Sequence, residues 1–186
     1  MSVNLAKHYF TVSEYERMGE TGVLAPDARV ELIEGEIIEM SPIGSPHAAC
    51  VNLLTKILNN QLGNRAIVST QAPIRLDDFS EPQPDIAVLK FRPDFYRNAH
   101  PRPEDVMLIC EVADTTLGYD RNVKMPLYAR AGIPEALIFN LPEEQLEHYS
   151  QPEAGKYQAI RIFIRGEQFK SISVPEVSLE LDEVFG

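Results

Sequence analysis

Pro84-Asp85-Ile86-Ala87-Val88-Leu89, then Val106-Met107-Leu108-Ile109-Cys110-Glu111-Val112-Ala113, then Tyr119-Asp120-Arg121-Asn122-Val123-Lys124 are the stretches that decide the fold. The first two are apolar runs of strand length, as expected of strands buried on both faces, yet each carries one carboxylate, Asp85 and Glu111. A helical pattern follows to about Ala131, closed by Gly132 and Pro134, and a third apolar run comes next at Ala136-Leu137-Ile138-Phe139-Asn140. Strand, helix and strand in that order predict a right-handed crossover with parallel strands. The shorter step from 85–89 to 106–112 is compatible with an antiparallel pair.

Towards the N-terminus, Ser45 and Pro46 mark a helix start, with Ser45 as cap and Pro46 in the first helical position. The helix runs from His47 to Leu62 with a stripe of Val51, Leu54, Leu58 and Leu62, and Gly63 stops it. One turn back along that stripe lies His47, facing the core side at the helix mouth. Residues 66–76 read as a strand. Arg29 to Ile33 and Glu36 to Met40 read as a hairpin closed at Glu34-Gly35. Thr11-Val12-Ser13-Glu14 opens a short helix with a capping-box pattern. Beyond Asn140, residues 145–149 and 157–164 read as edge strands or a hairpin, and Ile172-Ser173-Val174 as a short strand.

The fold class is therefore α/β, or α+β: a mixed sheet flanked by helices, with an N-terminal helix and hairpin and C-terminal β additions. At 186 residues the chain is expected to be one domain, with residues 1–46 and 141–186 flanking a core at 47–140. No apolar run approaches the length of a membrane span, and Met1 to His8 contains no apolar signal core, so the expected location is the cytoplasm. Cys50 and Cys110 sit in apolar segments and read as reduced core residues. The net charge of −11 weighs against unspecific nucleic-acid binding. Its distribution softens that: residues 1–46 and 141–186 each carry −5, and residues 47–140 only −1.

With the strands at 85–89 and 106–112 antiparallel, Asp85 at the start of one lies beside Glu111 near the end of the other. Two ionised carboxylates that close repel each other and resist burial. A divalent cation resolves both difficulties. Mg²⁺ takes a few hard oxygens and keeps waters, and a metal-bound phosphate is open to attack by water. A nearby lysine can position that water and offset developing charge. Taken singly, Asp85 after Pro84 is a turn former, Lys124 a surface lysine and His47 a hydrogen-bonded residue at a helix start. Glu111 resists such a reading, because a buried unpaired glutamate is costly.

The ordered set Pro84-Asp85, Glu111-Val112-Ala113, Asp120 to Lys124 and Leu127-Tyr128-Ala129-Arg130-Ala131-Gly132-Ile133-Pro134 resembles the Uma-type restriction endonucleases, within the PD-(D/E)XK nuclease superfamily. The hairpin Glu31 to Glu36 and the run Met40-Ser41-Pro42 to His47 match the opening of that family. The resemblance covers roughly residues 10–150 and rests on several weak motifs in the correct order. It implies a restriction-endonuclease-like fold and a Mg²⁺- or Mn²⁺-dependent endodeoxyribonuclease. Asp85, Glu111 and Lys124 would be the catalytic residues, with the metal set at Asp85, Glu111, Val112 and His47. The superfamily lysine belongs two residues after the glutamate, where this chain has Ala113, and Lys124 on the next helix is the substitute. Pro126 leaves its direction open, since proline tolerates only the first turn of a helix. Glu31 or Glu36 could add an acid, and Tyr128 lies one turn beyond Lys124. Arg92, Arg97 and Arg102 in the loop after Lys90 are the candidate DNA contacts, and a homodimer suits a double-strand cut. A second class of function also fits: a catalytically silent nuclease fold acting in protein association or regulation, favoured by the acidic flanks and Ala113.

Overall fold

The computed structural model describes residues 6–186; residues 1–5, part of the N-terminal stretch read above as lacking a signal core, lie outside them. Helix α1, Val12–Glu20, starts with the expected capping box: the Thr11 side chain accepts from the Glu14 amide, and the Glu14 carboxylate accepts from the Thr11 amide. Strands β1, Val30–Ile33, and β2, Glu36–Glu39, form the predicted hairpin. Its turn puts Glu34 at φ 51 and Gly35 at φ 80. A side chain at position 35 would collide with Tyr9, its Cβ falling 2.6 Å from that of Tyr9, so glycine is required there.

Helix α2, Ser45–Leu62, begins one residue earlier than read from sequence. Gly44, not Ser45, is the N-cap; it has the extended backbone of a cap, no side chain caps the helix, and Pro46 follows in the second helical position. Strand β3, Ala66–Thr70, is shorter than the expected 66–76. Gln71 takes φ 48, which breaks the pleat, and Ile74 and Leu76 instead bond back to Pro82 and Ser80 in an irregular ribbon. Strands β4, Ile86–Lys90, and β5, Val106–Ala113, fall as predicted.

The next helical stretch is continuous but not uniform. A single turn, α3, Leu117–Tyr119, leads into a π turn, Asp120–Lys124, and then α4, Met125–Arg130. The Met125 amide donates to the Asp120 carbonyl five residues back. Proline has no amide and its ring crowds the carbonyl four residues before it. The widened turn just before Pro126 relieves that conflict, so the helix neither starts late nor breaks.

Strands β6, Glu135–Asn140, β7, Gln145–Glu153, and β8, Lys156–Ile164, follow. A pair of short strands, β9, Gln168–Lys170, and β10, Ser178–Glu180, leads to α5, Leu181–Phe185. The expected strand at 172–174 does not form. The Glu135 carboxylate accepts from the amides of Ile172 and Ser173, which removes those donors from any ladder.

The main sheet has six strands in the order β3-β4-β5-β6-β7-β8. The β4–β5 pair is antiparallel and the β5–β6 pair parallel, as predicted. The 145–164 hairpin joins this same sheet, with β7 internal and β8 at the edge. One face carries α2 and α5, with Val51, Leu54 and Leu58 packed on Val88, Leu108 and Phe139. The other carries α4 and the β1–β2 hairpin, with Leu127, Tyr128 and Ile33 packed on Ile109, Ala113 and Ile138. Both cysteines are buried and free. Among the described residues no helix is long and apolar enough to cross a membrane.

Candidate active site

Antiparallel register places Ile86 opposite Cys110, so Asp85 and Glu111 emerge at the same end of the sheet. Their contact is direct: the Asp85 amide donates to Glu111 Oε2 at 3.3 Å. The strand does not stop at Cys110, and Glu111 is only 2% exposed. Asp85 Oδ2 accepts from the Val112 amide at 2.8 Å and stands 3.1 Å from His47 Nε2. Val112 thus enters the cluster through its main chain, and His47 reaches it from the start of α2 on the opposite face of the sheet.

The π turn supplies the cation. Lys124 is buried, with Nζ 3.2 Å from Glu111 Oε1 and 3.6 Å from Glu31 Oε2. Glu31, on β1, is fixed by the Gln83 amide at 3.0 Å and the Tyr119 hydroxyl at 3.2 Å. Tyr128, fully buried, donates to Glu111 Oε1 at 2.6 Å. Of the two hairpin glutamates the structure brings Glu31 to the cluster. Glu36 shares the Glu31 face of the hairpin but sits exposed at its turn end, paired with Lys7 at 3.3 Å.

Three further residues join that sequence reasoning assigned no role. Asp120, buried on the π turn, accepts from Thr116 Oγ1 at 2.8 Å. Tyr119 and Gln83 hold Glu31. Asp120 had a signal, standing four residues before Lys124 on a predicted helix face. Tyr119 and Gln83 had none, since their contacts run to a distant hairpin.

Apart from Tyr128, which is buried behind Glu111, the clustered residues line a cleft of about 550 Å³, which also takes in Arg29, Gln71 and Asp114. Of its lining residues, Glu31, Glu39, Asp85, Glu111, Asp114 and Asp120 are acidic, against Arg29 and Lys124 as fixed cations. The excess of negative charge shows in the titration of the groups. Burial pushes the Glu111 carboxyl up to about 8 despite the pull of Lys124, and the Asp85 charge adds to the rise. Burial likewise lifts Asp120 to about 6. Burial also opposes ionisation of Asp85, but the His47 hydrogen bond and charge, with the Val112 amide, outweigh it and hold Asp85 below the usual range. The same bond raises His47. Burial works against the Lys124 charge, and the surrounding carboxylates, Glu111 first, overcome it and raise its pKa. Asp85 and Glu111, adjacent in space, are thus driven in opposite directions.

This donor set suits a hard divalent cation. Among the described residues no three His, Cys, Asp or Glu side chains form a ready metal cage. Two carboxylates with a counter-charge deficit match an ion that keeps much of its water, as Mg²⁺ does. His47 has its Nε2 turned to Asp85, and its buried Nδ1 has no partner.

Arg92, Arg97 and Arg102 line no part of this cleft. Their loop leaves β4 at Lys90, the end away from Asp85, about 16 Å along the strand at ~3.3 Å per residue. Arg92 there is forked onto Asp94 and lies over the Tyr96 ring.

Residues 12–182 match the profile of the Uma2 family, described as "Putative restriction endonuclease". The chain belongs to the Uma2 family. A solved structure from Anabaena variabilis, titled a "putative nuclease belonging to DUF820", superposes with a TM-score of 0.73. The match covers 95% of this chain and 97% of that one at 16% identity, so it speaks for the fold. No curated protein matches the chain. Uma2 membership and the shared fold agree with the resemblance read from the motifs and support a nuclease.

Proposed function

We propose that this Uma2 protein is a Mg²⁺-dependent DNA endonuclease whose site is Asp85, Glu111 and Lys124. The observation that carries the reading is the meeting of these three at one sheet end, with the lysine buried against the glutamate. Mg²⁺ or Mn²⁺, held by Asp85 and Glu111 next to the Val112 main chain, would polarise the scissile phosphate and acidify a bound water.

The chain's own groups have distinct tasks. Asp85, kept ionised by His47 and the Val112 amide, is the permanent anion. Glu111 is oriented by the Tyr128 hydroxyl and the Asp85 amide. Lys124 presents donors above Glu111, where they can align the attacking water and offset charge on phosphorus. Hydrolysis forms one P–O bond to water oxygen and breaks one to the departing sugar oxygen, which takes up a proton. His47 would act on the metal only by giving up Asp85 or by using its free Nδ1; in the present arrangement it sets the charge of Asp85.

The same reading includes a homodimer, each protomer cutting one strand of a two-fold site, and DNA contacts from the loop carrying Arg92, Arg97 and Arg102. The deciding experiment measures nicking of supercoiled DNA with Mg²⁺ or Mn²⁺ by the wild type and by Asp85→Asn, Glu111→Gln and Lys124→Met. The wild type nicks and each variant does not. Equal nicking by all four proteins defeats the assignment.

A further inference from the structure

Strand register links the site to a second, unassigned cluster. Glu111 on β5 lies opposite Ile138 on β6, and Ile138 lies opposite Glu147 on β7. Residues directly opposite share a face of a sheet. Glu111 and Glu147 therefore face the same helix from one cross-sheet row, two strand spacings or roughly 9.6 Å apart.

That helix answers both. Lys124 meets Glu111, and Arg121, on the same π turn, meets Glu147. The Arg121 Nε is 3.0 Å from each Glu147 oxygen, and Nη2 is 2.5 Å from Oε1. Tyr149 completes the arrangement by donating to Glu147 Oε2 at 2.6 Å. Glu147 is 2% exposed, so a deeply buried carboxylate is given over to one arginine and one tyrosine.

From this geometry we propose that Glu147, Arg121 and Tyr149 form a positioning clamp that sets the rotation of the π turn, and with it the place of Lys124 over Glu111. The catalytic part of the proposal rests on the nuclease reading above. The physical need is plain. The π turn replaces the usual winding, and Pro126 contributes no amide beyond it, so backbone bonds alone hold the phase of this segment loosely. Lys124 is flanked instead by two side-chain anchors to one row: Tyr128 to Glu111 on its C-terminal side and Arg121 to Glu147 on its N-terminal side. An arginine fork fixes orientation as well as distance, which a lysine cannot do.

The test compares wild type with Glu147→Gln and Arg121→Lys, the latter keeping charge but losing the fork. Both should lower kcat by about 10- to 100-fold with KM within about twofold, as expected when a reacting group is displaced by about an ångström. Both should also shift the Lys124 Cε resonance in metal-free protein labelled with ¹³C-lysine. If melting temperature falls while kcat per folded molecule and the Lys124 resonance stay at wild-type values, the clamp is only structural and the proposal fails. The resonance separates the two readings. A wild type that cleaves nothing defeats the nuclease assignment, while an unmoved Lys124 signal in Arg121→Lys defeats the clamp. Arg121 is partly exposed, so its variant serves if Glu147→Gln does not fold.

Discussion

Lys124 Nζ lies 3.2 Å from Glu111 Oε1, although one residue stands on a π turn and the other in the middle of a six-stranded sheet. The strand itself has Ala113 two residues after Glu111, and the cation of the cluster comes from the helical segment above it. It completes a buried triangle with Glu31.

Removing that cation should affect more than catalysis. Lys124→Ala is expected to lose cleavage by at least about 100-fold. It also leaves Glu31 and Glu111 facing each other without a counter-charge, and breaking a buried pair from one side costs about 3–5 kcal/mol. The loss of stability should be largest at pH 9 and smaller at pH 6, where Glu111 holds its proton. Urea unfolding of metal-free protein at the two pH values measures it; an equal loss at both would contradict the raised Glu111.

Metal binding should release a proton. In metal-free protein Glu111 titrates near 8, above its unfolded value near 4.5. The native state therefore holds an extra proton between those values, and its stability falls as pH rises through that window. A cation that needs the carboxylate expels the proton. Calorimetry with Mn²⁺ at pH 7 in buffers of different ionisation enthalpy should show release approaching one proton, and almost none in Glu111→Gln.

Acid should act on a different carboxylate. Burial works against the charge of Glu135, but the His148 ring nitrogen 2.7 Å away and bonds from Ser171 and Ser173 pull its pKa down to about 2. A depressed carboxylate stabilises the fold above its unfolded value near 4.5, and that contribution is lost as pH falls towards 2. Glu135→Gln should thus be less stable than wild type at pH 7, with the gap closing by pH 2. Thermal unfolding across this range tests it; a constant gap would mean that packing, not charge, holds residues 171–174.

DNA contact by the distal loop should appear in salt dependence. Each phosphate contact removed reduces the slope of log K against log salt by about 0.9. Arg97→Ala and Arg102→Ala are each expected to reduce it by about that amount. Arg92→Ala should change it less, because Arg92 is already forked onto Asp94. Binding titrations from low to moderate salt with a metal-site variant, which cannot cut, give the slopes.

Much of the sheet could be read from local pattern. Residues 86–89, 106–110 and 136–139 are apolar without interruption, and their order and connection lengths carry the antiparallel and parallel pairings. Glu111 could be singled out because a carboxylate in such a run needs a reason. Elements set by distant contacts were not legible. Glu31 and Glu36 look alike in sequence and share one face of the hairpin; the choice between them depends on which point along it, away from the turn, meets Gln83, Tyr119 and Lys124. Ile172 to Val174 has strand composition, yet Glu135 takes its amides. The π turn has no signature of its own, and Pro126 announces only that ordinary winding must change somewhere near it.

That turn makes the segment sensitive to length rather than to composition. Exposed positions such as Asn122 can vary in side chain at little cost. Deleting Asn122 or Val123 would restore ordinary winding and leave Arg121 and Lys124 only two residues apart, about 200° around the helix. Either Lys124 or Arg121 would then leave its glutamate. Variants of this protein can therefore be expected to tolerate exchange along the turn and to be silenced by a single-codon deletion within it.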